Sequence, residues 1–125
     1  MKTFEDLTAL KPLLDDGLEL MRDIAWAVAS ESALPPLCHE YVSNCIAKAR
    51  SEIEFLHRHY FEDLPHQTYL LSAFVIMVNL SSAQSSIGIS KSLAEFNVPK
   101  VKELLGTLRA TQDQLKPLLR AMLNL

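Results

Sequence analysis

Three residues that could support acid–base chemistry lie within eight positions of one predicted helix. Arg50, Glu54 and His57 are spaced by four and three residues, so their side chains share one face of that helix. A histidine in this setting could act as a general base. The alternative is structural, because Arg50 and Glu54 are also four residues apart and could form an ordinary surface ion pair.

The pairing of Arg50 with His57 resembles the short motif of HEPN-type ribonucleases, which are helical bundles. The six intervening residues match that motif, and the resemblance implies RNA cleavage with Arg50 and His57 as the catalytic pair. It covers eight residues, and Ser51 stands where that family usually has a larger polar group. A HEPN-like ribonuclease is therefore the alternative functional hypothesis.

Metal binding is the second kind of chemistry that this region could support. Glu54 and His57 have the carboxylate–histidine spacing of ferritin-like di-iron bundles, but those bundles need two such motifs and two further glutamates. One copy is present here, and His57 and His59 point to different sides of a helix. We therefore expect no metal and no cofactor, and we interpret these histidines as surface residues near a helix C-terminus, where positive charge is favoured.

The two cysteines predict a reducing environment. Cys38 and Cys45 are seven residues apart, about 10 Å along a helix axis, whereas a disulfide needs Cα atoms within roughly 7 Å. No base is assigned that would make either thiol a nucleophile. The N-terminus reads Met-Lys-Thr-Phe-Glu-Asp and lacks the apolar segment of a secretory signal. We expect a cytoplasmic protein.

Charge and hydropathy argue against nucleic-acid and membrane partners. The net charge is −3, and the basic residues near the C-terminus have no aromatic side chains between them to stack on bases. The segment 67–90 carries no charged residue, but its strongly apolar part covers only residues 69–80 and serines follow. That part is too short to cross a bilayer, so we expect no membrane span.

Prolines and apolar periodicity indicate one all-α domain over residues 1–125. The 3 glycines leave few positions for tight turns and argue against a hairpin-rich β fold. We predict four long helices at 11–31, 36–62, 66–96 and 99–124. Pro12 is expected in the first turn of its helix, with a separate short turn before it, and Pro117 is expected to kink or split the last helix.

The predicted helices are expected to form an antiparallel up-down four-helix bundle. The second helix has an unbroken apolar seam with steps of four and three residues, formed by Val42, Ile46, Ala49, Ile53, Leu56 and Tyr60. Short connections between long helices favour antiparallel neighbours. Residues 1–31 hold three bases and seven acids, net −4, while residues 98–125 hold five bases and two acids, net +3. The first and last helices should therefore attract each other as neighbours.

The third predicted helix carries two apolar stripes on nearly opposite faces. One consists of Tyr69, Ala73, Ile76, Leu80, Ala83 and Ile87. The other consists of Leu71, Val75, Val78, Ser82, Ser85, Ile89, Leu93 and Phe96. They lie roughly 160° apart, and a helix that is apolar all round must be buried all round. The second stripe predicts contact with another chain, unless a tilted helix contacts three neighbours of its own bundle.

Trp26 is the other candidate for contact with a partner. It falls on the polar side of the first helix, among Asp15, Glu19, Arg22 and Asp23. Tryptophan is enriched at binding hot spots, and the alternative is a local cation–π contact with Arg22. We therefore predict a non-catalytic helical protein-interaction module, a small regulator, inhibitor or chaperone-like adaptor of another protein that also forms a homodimer. The predicted partner-binding residues are Trp26, Leu71, Val75, Val78, Ile89 and Leu93.

Overall fold

The computed structural model describes residues 4–60, 62, 64–93 and 98–125, apart from the side chains of Phe4, Leu93 and Val98. Four helices account for most of this part of the chain: α1 (Phe4–Ala29), α2 (Pro36–His59), α3 (His66–Leu93) and α4 (Val98–Leu123). The described residues contain no strand. The prediction of an all-α four-helix bundle is confirmed.

The helices pack in a ring in which each contacts two others: α1 with α2, α2 with α3, α3 with α4, and α4 with α1. The predicted contact between the acidic first helix and the basic last helix is thereby confirmed. Two hydrogen bonds give the direction of α1 against α2. His57, near the end of α2, donates to Asp15 at 2.7 Å, and His39, near its start, donates to the carbonyl of Val28 at 2.9 Å. These two helices therefore run antiparallel.

The same argument orients α2 against α3. Ser72, in the first two turns of α3, donates a hydrogen bond to Glu52 in the second half of α2 at 2.9 Å. At the other end, the Cys38 Sγ at the start of α2 lies 3.2 Å from the hydroxyl oxygen of Ser86. The two helices therefore also run antiparallel. The antiparallel direction of α4 stays a prediction.

The core is formed by the apolar stripes that the sequence predicts. The α2 seam is buried from Val42 to Leu56, and its last member, Tyr60, is half-buried. The first stripe of α3 is completely or almost completely buried. It is joined by leucines and other apolar residues of α1 and α4, namely Leu10, Leu14, Met21, Ile24, Val28, Val101, Leu104, Leu105, Leu108, Leu115, Leu118 and Met122. This burial is the main source of stability.

The structure differs from the predictions about the two prolines. α1 begins at Phe4, well before residue 11, and continues through Pro12, so the prediction of a separate short turn is wrong. α4 continues through Pro117 without being split, and a kink at this residue stays a prediction. Both prolines are exposed, so each backbone carbonyl that loses its helical donor lies on the solvent side. Around Pro12, the buried side chains of Leu10 and Leu14 hold α1 against the core on both sides of the missing hydrogen bond.

The other predicted boundaries differ less from the structure. α1 ends at Ala29 rather than residue 31, and α2 ends at His59 rather than residue 62. The helical hydrogen-bond pattern stops there before Pro65, which disfavours helical geometry at the preceding residue. α4 agrees with its predicted bounds to within one residue at each end. The predicted extension of the third helix over residues 94–96, which includes Phe96, lies outside the described residues.

Candidate functional site

The outward side of α3 exposes large apolar side chains to solvent. Leu71, Phe74 and Ile89 expose 66%, 63% and 64% of their surfaces, and Val78 exposes 43%. At 100° per residue, these positions fall within one narrow sector of the helix, opposite the buried stripe. Small serines occupy the remaining positions of this sector. We call the whole set the α3 outer face: Leu71, Phe74, Val78, Ser81, Ser82, Ser85 and Ile89.

The first turns of α2 extend this apolar surface. Leu37 exposes 83% of its surface, and Tyr41, four residues further along the same side of α2, is half-exposed. Tyr41 lies across a shallow groove of about 640 Å³ from Phe74, and serines of α3 line the groove between them. Met77 borders the groove and is also exposed. The surface is therefore formed by two helices.

The exposed large apolar side chains are concentrated on this surface. Seven of the ten that the described residues contain belong to it, and exposed apolar surface of this kind marks interaction sites. The seven are Leu37, Tyr41, Leu71, Phe74, Met77, Val78 and Ile89. The α3 part of the surface lies in a segment without any charged residue. Such a surface favours contact with another apolar surface.

The structure separates the α3 residues that the sequence singled out. Leu71, Val78 and Ile89 lie on the outer face and are exposed. Val75 is half-buried beside Asn44 and Ala47 of α2, so it contributes less to the exposed surface than predicted. The side chain of Leu93 lies outside the described residues. Phe74 was missed, although its position three residues after Leu71 and four before Val78 places it on the same face.

Tyr41, Leu37 and Met77 were also missed by sequence reasoning. The two α2 residues join the surface only because the start of α2 packs beside the end of α3, as the contact between Cys38 and Ser86 shows. Nothing in the local sequence around them signals this neighbour. Met77 lies at the side of the outer face, where burial depends on how closely the adjacent helix approaches.

α3 is also the helix that resembles a membrane span. Among the described helices, it is the one long and apolar enough to cross a bilayer, over His66–Ser92, by length and composition alone. A third of its most apolar stretch is buried inside the bundle. The same helix therefore supplies the core stripe on one side and the outer face on the other. The expectation of no membrane partner stays a prediction.

Trp26, the other predicted partner-binding residue, lies on the exposed side of α1. Its side chain exposes 75% of its surface, so a cation–π contact with Arg22 would cover little of the indole. Ala29, three residues later, lines a groove of about 400 Å³ between α1 and α2. The other lining residues are mostly small, with an ion pair at one end: Ala25, Val28, Ser43, Ile46, Ala47, Arg50, Ser51 and Glu54.

Each member of the predicted catalytic pair binds a carboxylate. The Arg50 Nε donates a hydrogen bond to Glu54 at 2.8 Å, which is the surface ion pair considered from the sequence. The His57 Nε2 donates to Asp15 of α1 at 2.7 Å. The two side chains share a face of α2 but are held by different partners.

Asp15 also accepts a hydrogen bond from Lys11 at 3.0 Å. Lys11, followed by His57, lowers the pKa of the Asp15 carboxyl below its usual range, and Asp15 in turn raises the pKa of Lys11. The Lys11 Nζ lies 6.0 Å from the centre of the Tyr60 ring. This cluster links the first half of α1 to the end of α2.

The remaining candidates for chemistry are dispersed. His59 pairs with Glu62 at 2.8 Å, and His66 is exposed at the start of α3. Within the described ranges, no three His, Cys, Asp or Glu side chains converge as metal ligands. Cys38 and Cys45 are both free thiols. Comparison with known proteins found no family model, no curated protein and no solved structure that matches this chain.

Proposed function

We propose that this chain is a non-catalytic helical protein-interaction module that acts as a small regulator, inhibitor or adaptor of another protein. The observation that carries the proposal is the α3 outer face, where Leu71, Phe74 and Ile89 each expose more than half of their surface. Covering these side chains removes apolar surface from water, which is the main favourable term in protein association.

The packing of α3 supports this proposal over the alternative of a helix enclosed by three neighbours. In the described part of the chain, α3 contacts α2 and α4 but not α1. The core side of α3 is filled by these contacts, so the outer face has no neighbour within the bundle. Phe74, Met77 and Tyr41 border one groove there, and aromatic residues and methionine are enriched in protein interfaces.

A ribonuclease of HEPN type is the weaker alternative. It requires Arg50 and His57 to face the same substrate. Here Arg50 is paired with Glu54 and His57 with Asp15, and both carboxylates would repel RNA phosphates approaching the pair. The paired geometry therefore favours a structural role for both residues, and no observation in the structure favours RNA cleavage.

The proposal includes an expectation about partners and location. We propose protein partners, among them a second copy of this chain, and neither nucleic acid nor membrane. The uncharged segment 67–90 provides no positive charge to hold phosphates. The two free thiols, Cys38 and Cys45, are compatible with the reducing cytoplasm.

Site-specific photo-crosslinking in the native host tests the proposal. A benzophenone amino acid at Phe74 keeps an aromatic side chain on the outer face, and the same amino acid at exposed Gln114 of α4 is the matched control. We expect a defined protein adduct from position 74 and none from position 114. The absence of any adduct from position 74 in a folded variant, or equal adducts from both positions, contradicts the proposal.

A further inference from the structure

We propose that the α3 outer face forms the interface of a two-fold symmetric homodimer in which the two α3 helices pack antiparallel, with the axis near position 80. This inference rests on the proposed function, because it names a second copy of this chain as the protein that covers the face. In such an interface the same patch is used by both copies, so a residue i that contacts j requires that j contact i.

The spacing along the second stripe has the symmetry that this arrangement needs. From Leu71 to Ile89 the stripe advances by four, three, four, three and four residues. This series reads the same in both directions. When an antiparallel copy is centred near position 80, each residue of the stripe from Leu71 to Ile89 therefore lies opposite a residue of the same stripe in the other copy. Leu71 of one copy then lies against Ile89 of the other, and Val78 lies against Ser82.

The sizes of the side chains match in the antiparallel direction only. The first half of the outer face is bulky at Phe74 and Val78, whereas the second half is small at Ser82 and Ser85. Turning one copy end to end about position 80 places Phe74 against Ser86 and Val78 against Ser82, so these large residues meet small ones at the same helix separation. A parallel pair would place Phe74 against Phe74 and leave unfilled space over the serines, which forfeits packing contacts.

The groove provides a place for the second copy. It lies over the serines of α3 and is bordered by Tyr41 and Ile89, with a volume of about 640 Å³. In the antiparallel dimer, Leu71 and Phe74 of the second copy enter this groove. Leu37 and Tyr41 extend the contact onto α2, because the start of α2 lies beside the serine half of α3.

The apolar surface and the charge pattern agree with a stable dimer. Seven of the ten exposed large apolar side chains of the described residues lie on this surface, so the dimer would remove most of them from water. A two-fold axis brings identical segments together, so any charge near it would face a like charge. Positions 67–90 hold no charged residue, and this repulsion does not arise.

Cysteine pairing tests both the dimer and its direction. In a background with Cys38→Ser and Cys45→Ala, one protein carries Leu71→Cys and a second carries Ile89→Cys. We expect a disulfide-linked dimer in the oxidised mixture and little in either protein alone, because two copies of position 71 lie about 27 Å apart in the antiparallel dimer. Crosslinking of the Leu71→Cys protein with itself, without a disulfide between the two different proteins in the mixture, overturns the antiparallel arrangement.

Light scattering of the unmodified chain measures the same association without engineered cysteines. We expect a mass of twice the 14.0 kDa of one chain. A mass of 14.0 kDa at millimolar concentration, with the helical circular dichroism of a folded bundle, overturns the dimer. If the benzophenone at position 74 of that monomer still forms an adduct with a different protein, the proposed function is retained and only the dimer is contradicted.

Discussion

Ile76 and Val78 lie two residues apart on α3, yet Ile76 is fully buried and Val78 is exposed. Two residues advance a helix by about 200°, so the two side chains point to nearly opposite sides. Ile76 contributes to the core between α2 and α4, while Val78 lies at the centre of the outer face. This difference separates residues that stabilise the fold from residues available to a partner.

Alanine substitutions at these two positions should therefore have different effects on stability. We expect Ile76→Ala to lower the free energy of unfolding by about 2–5 kcal/mol, because it leaves a cavity in the core. Val78→Ala should change it by less than about 0.5 kcal/mol in the monomer, as for most surface substitutions. Urea unfolding at low protein concentration measures both, and equal losses would show that Val78 belongs to the core.

A charge on the outer face should prevent association without unfolding the chain. We expect Val78→Glu to weaken self-association more than tenfold, because the carboxylate loses its hydration in an apolar interface. Leu123→Glu on α4 is the control, since Leu123 is exposed to a similar extent. Sedimentation equilibrium measures the association, and circular dichroism checks the fold. Equal weakening by both variants would mean that net charge, rather than the α3 outer face, controls association.

Substitutions at two glycines should change the stability of the fold in opposite directions. A Cβ atom at Gly17 would lie 3.0 Å from a methyl group of Leu118, so α1 and α4 approach each other closely there. We expect Gly17→Val to destabilise the fold by about 1–3 kcal/mol through overpacking. A Cβ atom at Gly106 meets nothing within 4 Å, so Gly106→Ala should stabilise α4 by about 0.5–1 kcal/mol. Thermal unfolding measures both variants, and a destabilising Gly106→Ala contradicts the packing described for α4.

The cluster around Asp15 should make the free energy of unfolding decrease as the pH falls into the acid range. Because the pKa of Asp15 is lowered in the fold, mainly by Lys11 and then by His57, its contribution is present at neutral pH. It is lost as the pH falls through the usual range of an aspartate and down to the lowered pKa. We expect Lys11→Ala to move the pKa of Asp15 back towards its usual range, as measured by carbon-13 NMR titration of the carboxyl group. An unchanged pKa of Asp15 in that variant would mean that Lys11 does not form the contact in solution.

An RNA cleavage assay distinguishes the non-catalytic interaction module from the HEPN-type ribonuclease. We expect the purified chain to leave single-stranded RNA intact, because Arg50 and His57 are each held by a carboxylate. A fluorescently labelled RNA incubated with the chain and with a His57→Ala variant provides the measurement. Cleavage by the unmodified chain that disappears in the variant would support the HEPN-type ribonuclease and contradict a non-catalytic module.

The sequence by itself determined the number of helices and the residues of the core. The stripes from Val42 to Leu56 and from Tyr69 to Ile87 recur at helical spacing and are buried in the structure. Local sequence carries this information because periodicity depends on helix geometry alone. It also predicted that α3 would be apolar on two sides.

Only the tertiary structure decided which apolar residues remain exposed. Val75 and Val78 belong to the same predicted stripe, but Val75 lies against α2 while Val78 faces solvent. Tyr41 joins the surface because α2 begins beside the end of α3, and α1 continues through Pro12 because buried leucines hold it on both sides. These outcomes depend on neighbours distant in sequence, and helix packing rather than local periodicity specifies which neighbours those are.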